Sequence, residues 1–327
     1  MLRWSLIALF SLLAVVVLGL AGAIAFGTQA APTPMPSMQT SIALLGREAA
    51  DLPAARRFVA RDGTTLAYRA YPAAPDRVAV LIHGSSGSSA AMHGFAKALQ
   101  AAGITVYAPD VRGHGESGRK GDIDYIGQIE DDLVDLLAAL GPSPAGAKKI
   151  LVGHSSGGGF VLRFAGSQTG ERFDGYLLLA PYLSIDSPTM RLNAGGWVAP
   201  YIPRIIGLSI LSRMGIHWFE GLPVLAFGIL PKDITPYRTA FYSYRLWVNF
   251  SPHRDWQGDI RNIRRPAMVL VGANDELFRA DQYAPAFKAL RPDIPVEVLP
   301  NLDHMGPVIA PEGRAATIKA FGALSAR

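Results

Sequence analysis

Gly153-His154-Ser155-Ser156-Gly157 constrains this chain more than any other stretch, because of what stands on either side. Before it, Ile150-Leu151-Val152 is a short apolar run of the kind that forms a fully buried strand. After it, Phe160-Val161-Leu162-Arg163-Phe164-Ala165 reads as the opening of a helix. A Gly-x-Ser-x-Gly pattern between strand and helix demands a sharp turn. Its serine sits in strained backbone, and its glycines let strand and helix approach. The hydroxyl then projects from the carboxyl end of a sheet, next to the free N–H groups that open a helix. That arrangement suits acyl transfer. With 34 glycines in the chain the pattern also arises by chance, so the reading needs partners.

Those partners are sought in the rest of the sheet. Continuous apolar strands are expected at 78–82, 104–108, 150–152, 176–179, 267–271 and 296–299, separated by helices at about 90–102, 126–140, 280–290 and 311–324. Such alternation predicts an α/β fold with a mostly parallel central sheet covered on both faces by helices. A hairpin at 57–60 and 65–71, split by Asp62-Gly63, precedes it. Two candidate partners follow strand ends, where open α/β sheets collect their ligands. Asp275 closes Gly272-Ala273-Asn274-Asp275 after one strand, and His304 closes Asn301-Leu302-Asp303-His304 after the next.

The chemistry needs all three groups. His304 would take the Ser155 proton and later return it to the leaving group, while the Asp275 carboxylate fixes the imidazole tautomer. The tetrahedral oxyanion needs two backbone donors, assigned to Ser156, just after the nucleophile, and Ser85, just after His83-Gly84. Asp303 competes as the acid but adjoins His304 in sequence, and Asp110 stands at another strand end. His83 and His114 read as loop-shaping residues, His154 as packing inside the turn, and His93, His217 and His253 as surface or lid residues.

With these residues in order, the chain resembles the α/β-hydrolase superfamily, and most closely its monoglyceride-lipase and lysophospholipase-like branch, also grouped with the serine aminopeptidases. The resemblance rests on His83-Gly84, Asp110-x-Arg112-Gly113-His114-Gly115-x-Ser117, Gly153-His154-Ser155-x-Gly157, Asp275 and His304. It covers 56–327 and implies an α/β-hydrolase fold and a serine hydrolase without metal or organic cofactor. One departure stands out: Ser156 follows the nucleophile where the branch has a bulky apolar residue.

The rest of the chain sets the context. Residues 6–26 carry no charge and follow Arg3, long enough to cross a bilayer. The segment 1–30 is therefore expected to be a membrane anchor or a signal peptide, with Thr28-Gln29-Ala30 as a passable cleavage site. The run exceeds the usual signal length, which favours a retained anchor. With Arg3 held in the cytoplasm, the folded domain lies outside it, tethered to the inner membrane, or secreted if the segment is cut. Residues 31–55, rich in Pro, Ala, Ser and Met, read as a linker.

Residues 184–265 break the strand–helix rhythm and read as a helical lid. They hold Trp197, Trp218, Phe219, Trp247 and Trp256, and ten Lys or Arg against five Asp or Glu. That excess equals the net charge of +5 of the whole chain. An apolar lid fits an acyl chain, and its basic character suits an anionic bilayer surface. The expected partners are a small-molecule or lipid ester, a lysophospholipid or monoacylglycerol foremost, and the membrane through the N-terminal segment. No arginine-rich or aromatic nucleic-acid signature is present, no His-Glu-x-x-His spacing, and no cysteine for disulfide or thiolate metal sites. An aminopeptidase or amide hydrolase on the same triad is the alternative enzyme. A non-catalytic binding module on a hydrolase fold is the alternative from another class.

Overall fold

Unbroken apolar runs become the inner strands of the sheet because both of their faces are covered. The computed structural model describes residues 2–26 and 30–326. Its first six strands are β1 (Arg56–Val59), β2 (Thr65–Tyr71), β3 (Arg77–Ile82), β4 (Thr105–Pro109), β5 (Lys148–His154) and β6 (Gly175–Leu179). Then come β7 (Val198–Pro200), β8 (Pro223–Phe227), β9 (Phe241–Ser243), β10 (Ala267–Gly272) and β11 (Val296–Leu299). Eight of these form one sheet in the order β1-β2-β4-β3-β5-β6-β10-β11. Neighbours from β4 to β11 pair in parallel, and only the β1–β2 and β2–β4 pairs are antiparallel.

β5 lies at the centre and shows how the layers form. Side chains alternate between faces along a strand. Leu151 therefore joins Phe160, Phe164 and Tyr176 in one core, while Ile150 and Val152 join Phe95, Leu99 and Phe321 in the other. Helices His93–Ala101, Gln128–Leu140, Ser156–Ala165, Tyr283–Leu290 and Pro311–Ser325 supply the outer layers. The expected hairpin, parallel strands and covering helices are all present.

Two regions differ from the sequence reading. Residues 184–265 are not simply helical. Beside the helices Ile202–Arg213, Tyr244–Asn249 and Trp256–Asn262, they contain a three-stranded antiparallel sheet, β7-β8-β9. The run Val224-Leu225-Ala226-Phe227 is apolar throughout, opens on β-branched Val224 and closes on aromatic Phe227, and its residues are buried, so it packs as a strand. Residues 31–55 are not a plain linker either. Pro36–Glu48 forms a helix with proline in its first turn, where the missing N–H costs nothing. It buries Met38, Ile42 and Leu45 along one face. This strap is fixed at both ends: Gln39 Nε2 donates to the Gly228 carbonyl at 3.0 Å, and Arg314 Nη2 donates to the Glu48 carboxylate at 2.7 and 2.8 Å.

The N-terminal helix, Leu2–Ala25, has a mean hydropathy of 2.7 over its most apolar window and is the one helix among the described residues with membrane-spanning length and composition. Its side chains are largely exposed, Phe10 and Leu18 among them. Among the described residues it is its end that docks on the protein. Ile24 is buried, its carbonyl accepts from Arg204 Nε at 2.8 Å, and it nests against Gly207, where a Cβ would come within 2.8 Å. Thr28 and Gln29 of the expected cleavage site lie outside the described residues.

Candidate active site

The turn after β5 has the geometry its sequence demands. Ser155 takes φ 55° and ψ −122°, a strained conformation for a residue with a Cβ, and the helix Ser156–Ala165 starts immediately behind it. Both glycines of the pattern are forced by close approach. A Cβ on Gly153 would lie 2.3 Å from the Gly157 carbonyl, and one on Gly157 would lie 2.3 Å from that of His83.

His304 and Asp275 arrive from the loops after β11 and β10. His304 Nδ1 and Asp275 Oδ2 are 2.8 Å apart, with both side chains buried. The other carboxylate oxygen, Oδ1, accepts the N–H groups of Leu277 and Phe278 at 2.9 and 2.8 Å, which aims the carboxylate at the ring. Ser155 and His304 border one cavity. Their side chains are not hydrogen-bonded to each other in this state, as is common before a substrate seats.

The electrostatics follow from burial and pairing. Burial alone would raise the Asp275 carboxyl, but the His304 imidazole and the two N–H donors overcome it and hold it below the ordinary carboxylate value. Burial alone would likewise lower His304. The Asp275 charge and hydrogen bond, with Glu276 and Asp303 behind them, turn the shift upward. His154 is the opposite case. Burial, then the neighbouring His304, push it down to about 3, so it stays neutral and donates from Nε2 to the His304 carbonyl at 3.0 Å.

Ser85 and Ser156 line the larger cavity beside Ser155. The Ser156 N–H opens a helix and has no intrahelical acceptor, and the Ser85 N–H has no backbone or side-chain acceptor among the described residues. The loop holding Ser85 is tied down from several sides. His83 Nδ1 and the Gly84 carbonyl lie 2.9 Å apart, and the Val111 N–H donates to His83 Nε2. Trp197 Nε1 donates to the Ser85 hydroxyl at 3.1 Å. The Ser86 N–H donates to the Tyr242 hydroxyl at 2.7 Å, which in turn lies 2.6 Å from His114 Nε2.

The family described as serine aminopeptidase, S33, matches residues 73–219. A monoacylglycerol lipase of Mycolicibacterium smegmatis is 33% identical over 169 residues, 49% of this chain and 60% of that protein. The match thus spans less than two thirds of the lipase. A 2-(acetamidomethylene)succinate hydrolase of Mesorhizobium japonicum is 27% identical over 67% of this chain and 77% of that one. The crystal structure of Paleococcus ferrophilus monoacylglycerol lipase superposes with a TM-score of 0.60 over 80% of this chain and 98% of that one, at 20% identity, a likeness of fold.

The chain has the α/β-hydrolase fold, and its residues 73–219 resemble the serine aminopeptidase, S33, family.

Within this fold the remaining candidates fall into place. Asp110 is engaged elsewhere: its oxygens accept from Ser89 and from the Glu116 N–H. The Asp303 side chain does not reach the His304 ring, and it is Glu276 that accepts the His304 backbone N–H, at 3.0 Å. His83 and His114 shape the Ser85 loop. His93 departs from expectation: it is buried, between the Tyr71 hydroxyl and the Asp51 carboxylate, both 2.9 Å away. Sequence reasoning missed Tyr242 and Trp197 as supports of that loop, and missed the strap, which borders the Ser155–His304 cavity with Met38, Ser41 and Ile42. The strap's one signal was apolar spacing of four and then three at Met38, Ile42 and Leu45.

Proposed function

We propose that the protein is a membrane-anchored serine hydrolase cleaving a carboxylic ester of an apolar acyl chain, lysophospholipase or monoacylglycerol lipase-like, with Ser155, Asp275 and His304 as its triad. One observation carries the reading. Ser155 opens onto a cavity of about 460 Å³ walled by apolar side chains such as Ile185, Leu192, Trp197, Ile205 and Phe227. Ligand sites of that size and lining take apolar groups and orient them with a few polar contacts.

In this reading His304 takes the Ser155 proton as the oxygen adds to the ester carbonyl, and the N–H groups of Ser85 and Ser156 hold the oxyanion. Collapse breaks the carbonyl carbon–alkoxy oxygen bond, and His304 protonates the departing alcohol. Water then adds to the acyl-enzyme with His304 as base, which releases the acid and restores Ser155. Neither cavity at Ser155 is lined by Asp or Glu among the described residues, which favours an ester over a substrate held by a free amine.

The cap supports a bilayer location. Ile202, Ile206, Ile210 and Met214 form an exposed apolar stripe at helical spacing, on the same helix that receives the end of the N-terminal helix. Ile202 also borders the large cavity, so the apolar face and the cavity share a residue. Trp218, five residues after that helix, is 86% exposed. An anchor entering from the bilayer and an apolar stripe next to the cavity suit a lipid delivered from the membrane.

The test labels the full-length protein in detergent with a fluorophosphonate, beside Ser155→Ala, and then follows p-nitrophenyl esters of increasing chain length. Labelling lost in the variant and a rate maximum at medium or long chains are expected. A folded protein that neither labels nor cleaves any ester overturns the proposal.

A further inference from the structure

Two cavities meet at Ser155. The larger, of about 460 Å³, is apolar and does not touch His304; the smaller, of about 40 Å³, is bordered by His304. The group that protonates a leaving group must face it. On the esterase reading above, the acyl chain therefore lies in the large cavity and the alcohol departs through the small one. The outer wall of this small chamber is the strap helix, and its inner wall is the Gly84–Gly87 loop.

One permanently charged side chain lines the chamber, Arg238, and no carboxylate does. Among the described residues Arg238 makes no ion pair and no side-chain hydrogen bond. Burial pushes its guanidinium down, and only the charge of Asp233, not in contact, opposes this. The other shielded arginines among the described residues are satisfied. Arg69 meets Ser89 and Asp110, Arg112 meets Asp132, Arg163 meets Glu130, Arg204 donates to two carbonyls, and Arg245 clasps Asp122. Holding a guanidinium half out of water without a partner is unfavourable. A fold that pairs every comparable arginine and leaves this one facing the departing alcohol leaves its partner to be supplied by the substrate.

We propose that Arg238 is an anion-recognition residue of the leaving-group chamber, and that the substrate is an ester whose alcohol carries a phosphate or carboxylate close to the ester oxygen. The guanidinium fork matches either anion. Of the two lipid classes above, this selects the one with a charged headgroup over the neutral glyceride.

The experiment uses full-length protein in detergent and three esters sharing a lauroyl chain: 1-lauroylglycerol, 1-lauroylglycerol 3-phosphate and O-lauroyl lactate. The readout is the ratio of kcat/KM for each anionic ester to that for the neutral one. Wild type is expected to favour at least one anionic ester about tenfold or more, the size of a charge-assisted hydrogen bond. Arg238→Gln is expected to erase that ratio and Arg238→Lys to restore part of it. Which anionic ester shows the effect distinguishes phosphate from carboxylate. Equal ratios in wild type and Arg238→Gln overturn the proposal.

A second arm does not depend on the lipid-ester reading. Glycerol 3-phosphate or lactate, set against glycerol, should slow fluorophosphonate labelling of Ser155 in wild type and not in Arg238→Gln. That outcome with no lauroyl ester cleaved supports the anion site and refutes the lipid substrate. Labelling in both proteins with no differential protection refutes the site.

Discussion

Tyr242→Phe removes one oxygen from a site where two buried groups depend on it. The Tyr242 hydroxyl accepts the Ser86 N–H at 2.7 Å and lies 2.6 Å from His114 Nε2. His114 is held neutral, pushed well below its ordinary value by burial and then by His83, so its Nε2 offers a lone pair and the tyrosine donates to it. Ser86, His114 and Tyr242 are all buried, so bulk water does not replace the lost oxygen. The ring stays packed against Phe227, with centroids 4.7 Å apart, and apolar burial is retained. What remains is one orphaned donor and one orphaned acceptor, each costing about 1–3 kcal/mol, or roughly 2–6 kcal/mol together. At about 2 °C per kcal/mol for a domain of this size, that is about 4–12 °C in Tm. The same change frees the loop next to the Ser85 N–H. A full oxyanion donor is worth about 3–4 kcal/mol, so partial misalignment is expected to lower kcat about tenfold. Thermal unfolding of the detergent-solubilised protein and ester turnover measure both effects. A variant within about 1 °C of wild type, with unchanged kcat, refutes the claim that this hydroxyl holds the loop.

Two further outcomes follow from the triad. Catalysis requires neutral His304, and its value is raised, so kcat/KM should climb with pH through a midpoint above the ordinary imidazole value of about 6.5. Glu276→Gln removes one of the charges behind that shift and should move the midpoint to lower pH; a pH–rate profile checks the sign, and a midpoint below 6.5 in wild type refutes it. Asp275→Asn should cost about 10⁴-fold in kcat through the wrong imidazole tautomer, whereas Asp303→Asn should cost under about tenfold. Comparable losses in the two variants would reassign the acid.

The sheet and the grouping of Ser155, Asp275 and His304 were legible because their signals are local. Buried parallel strands are unbroken apolar runs, so 78–82, 150–152 and 267–271 could be read directly, and the residues just beyond β5, β10 and β11 gave Ser155, Asp275 and His304. What the sequence hid depends on distant contacts. Tyr242 sits 156 residues from the N–H it accepts and 128 from the imidazole it meets, and nothing around it marks that role. β7 and β9 are three residues long, too short for alternation to register, and they exist by pairing with β8. His93 looked like a surface residue because its partner Asp51 belongs to a stretch that composition had marked as a linker. The strap helix mixes Ser, Thr, Gly and Met, so its apolar face becomes decisive only where the cavity beside His304 needs a wall.

The N-terminal segment contributes to the candidate site as well as supplying a helix of membrane-spanning length. Its apolar helix ends on the cap helix Ile202–Arg213, through Ile24, Arg204 and Gly207. A short stretch later Gly228 of the cap holds Gln39, and the helix that follows lies across the chamber where Ser155 and His304 meet. Glu48 then locks on Arg314 of the C-terminal helix, so the strap joins cap to core across the chamber. A chain that began at Arg56 would keep Ser155, Asp275, His304, Ser85 and Ser156, the proposed triad and oxyanion donors. It would lose one wall of the cavity that His304 faces, and water would enter on the side where the proposed leaving group departs. On the proposed mechanism, size selection for the leaving group and exclusion of water from an acyl-enzyme would therefore reside in residues that precede the sheet.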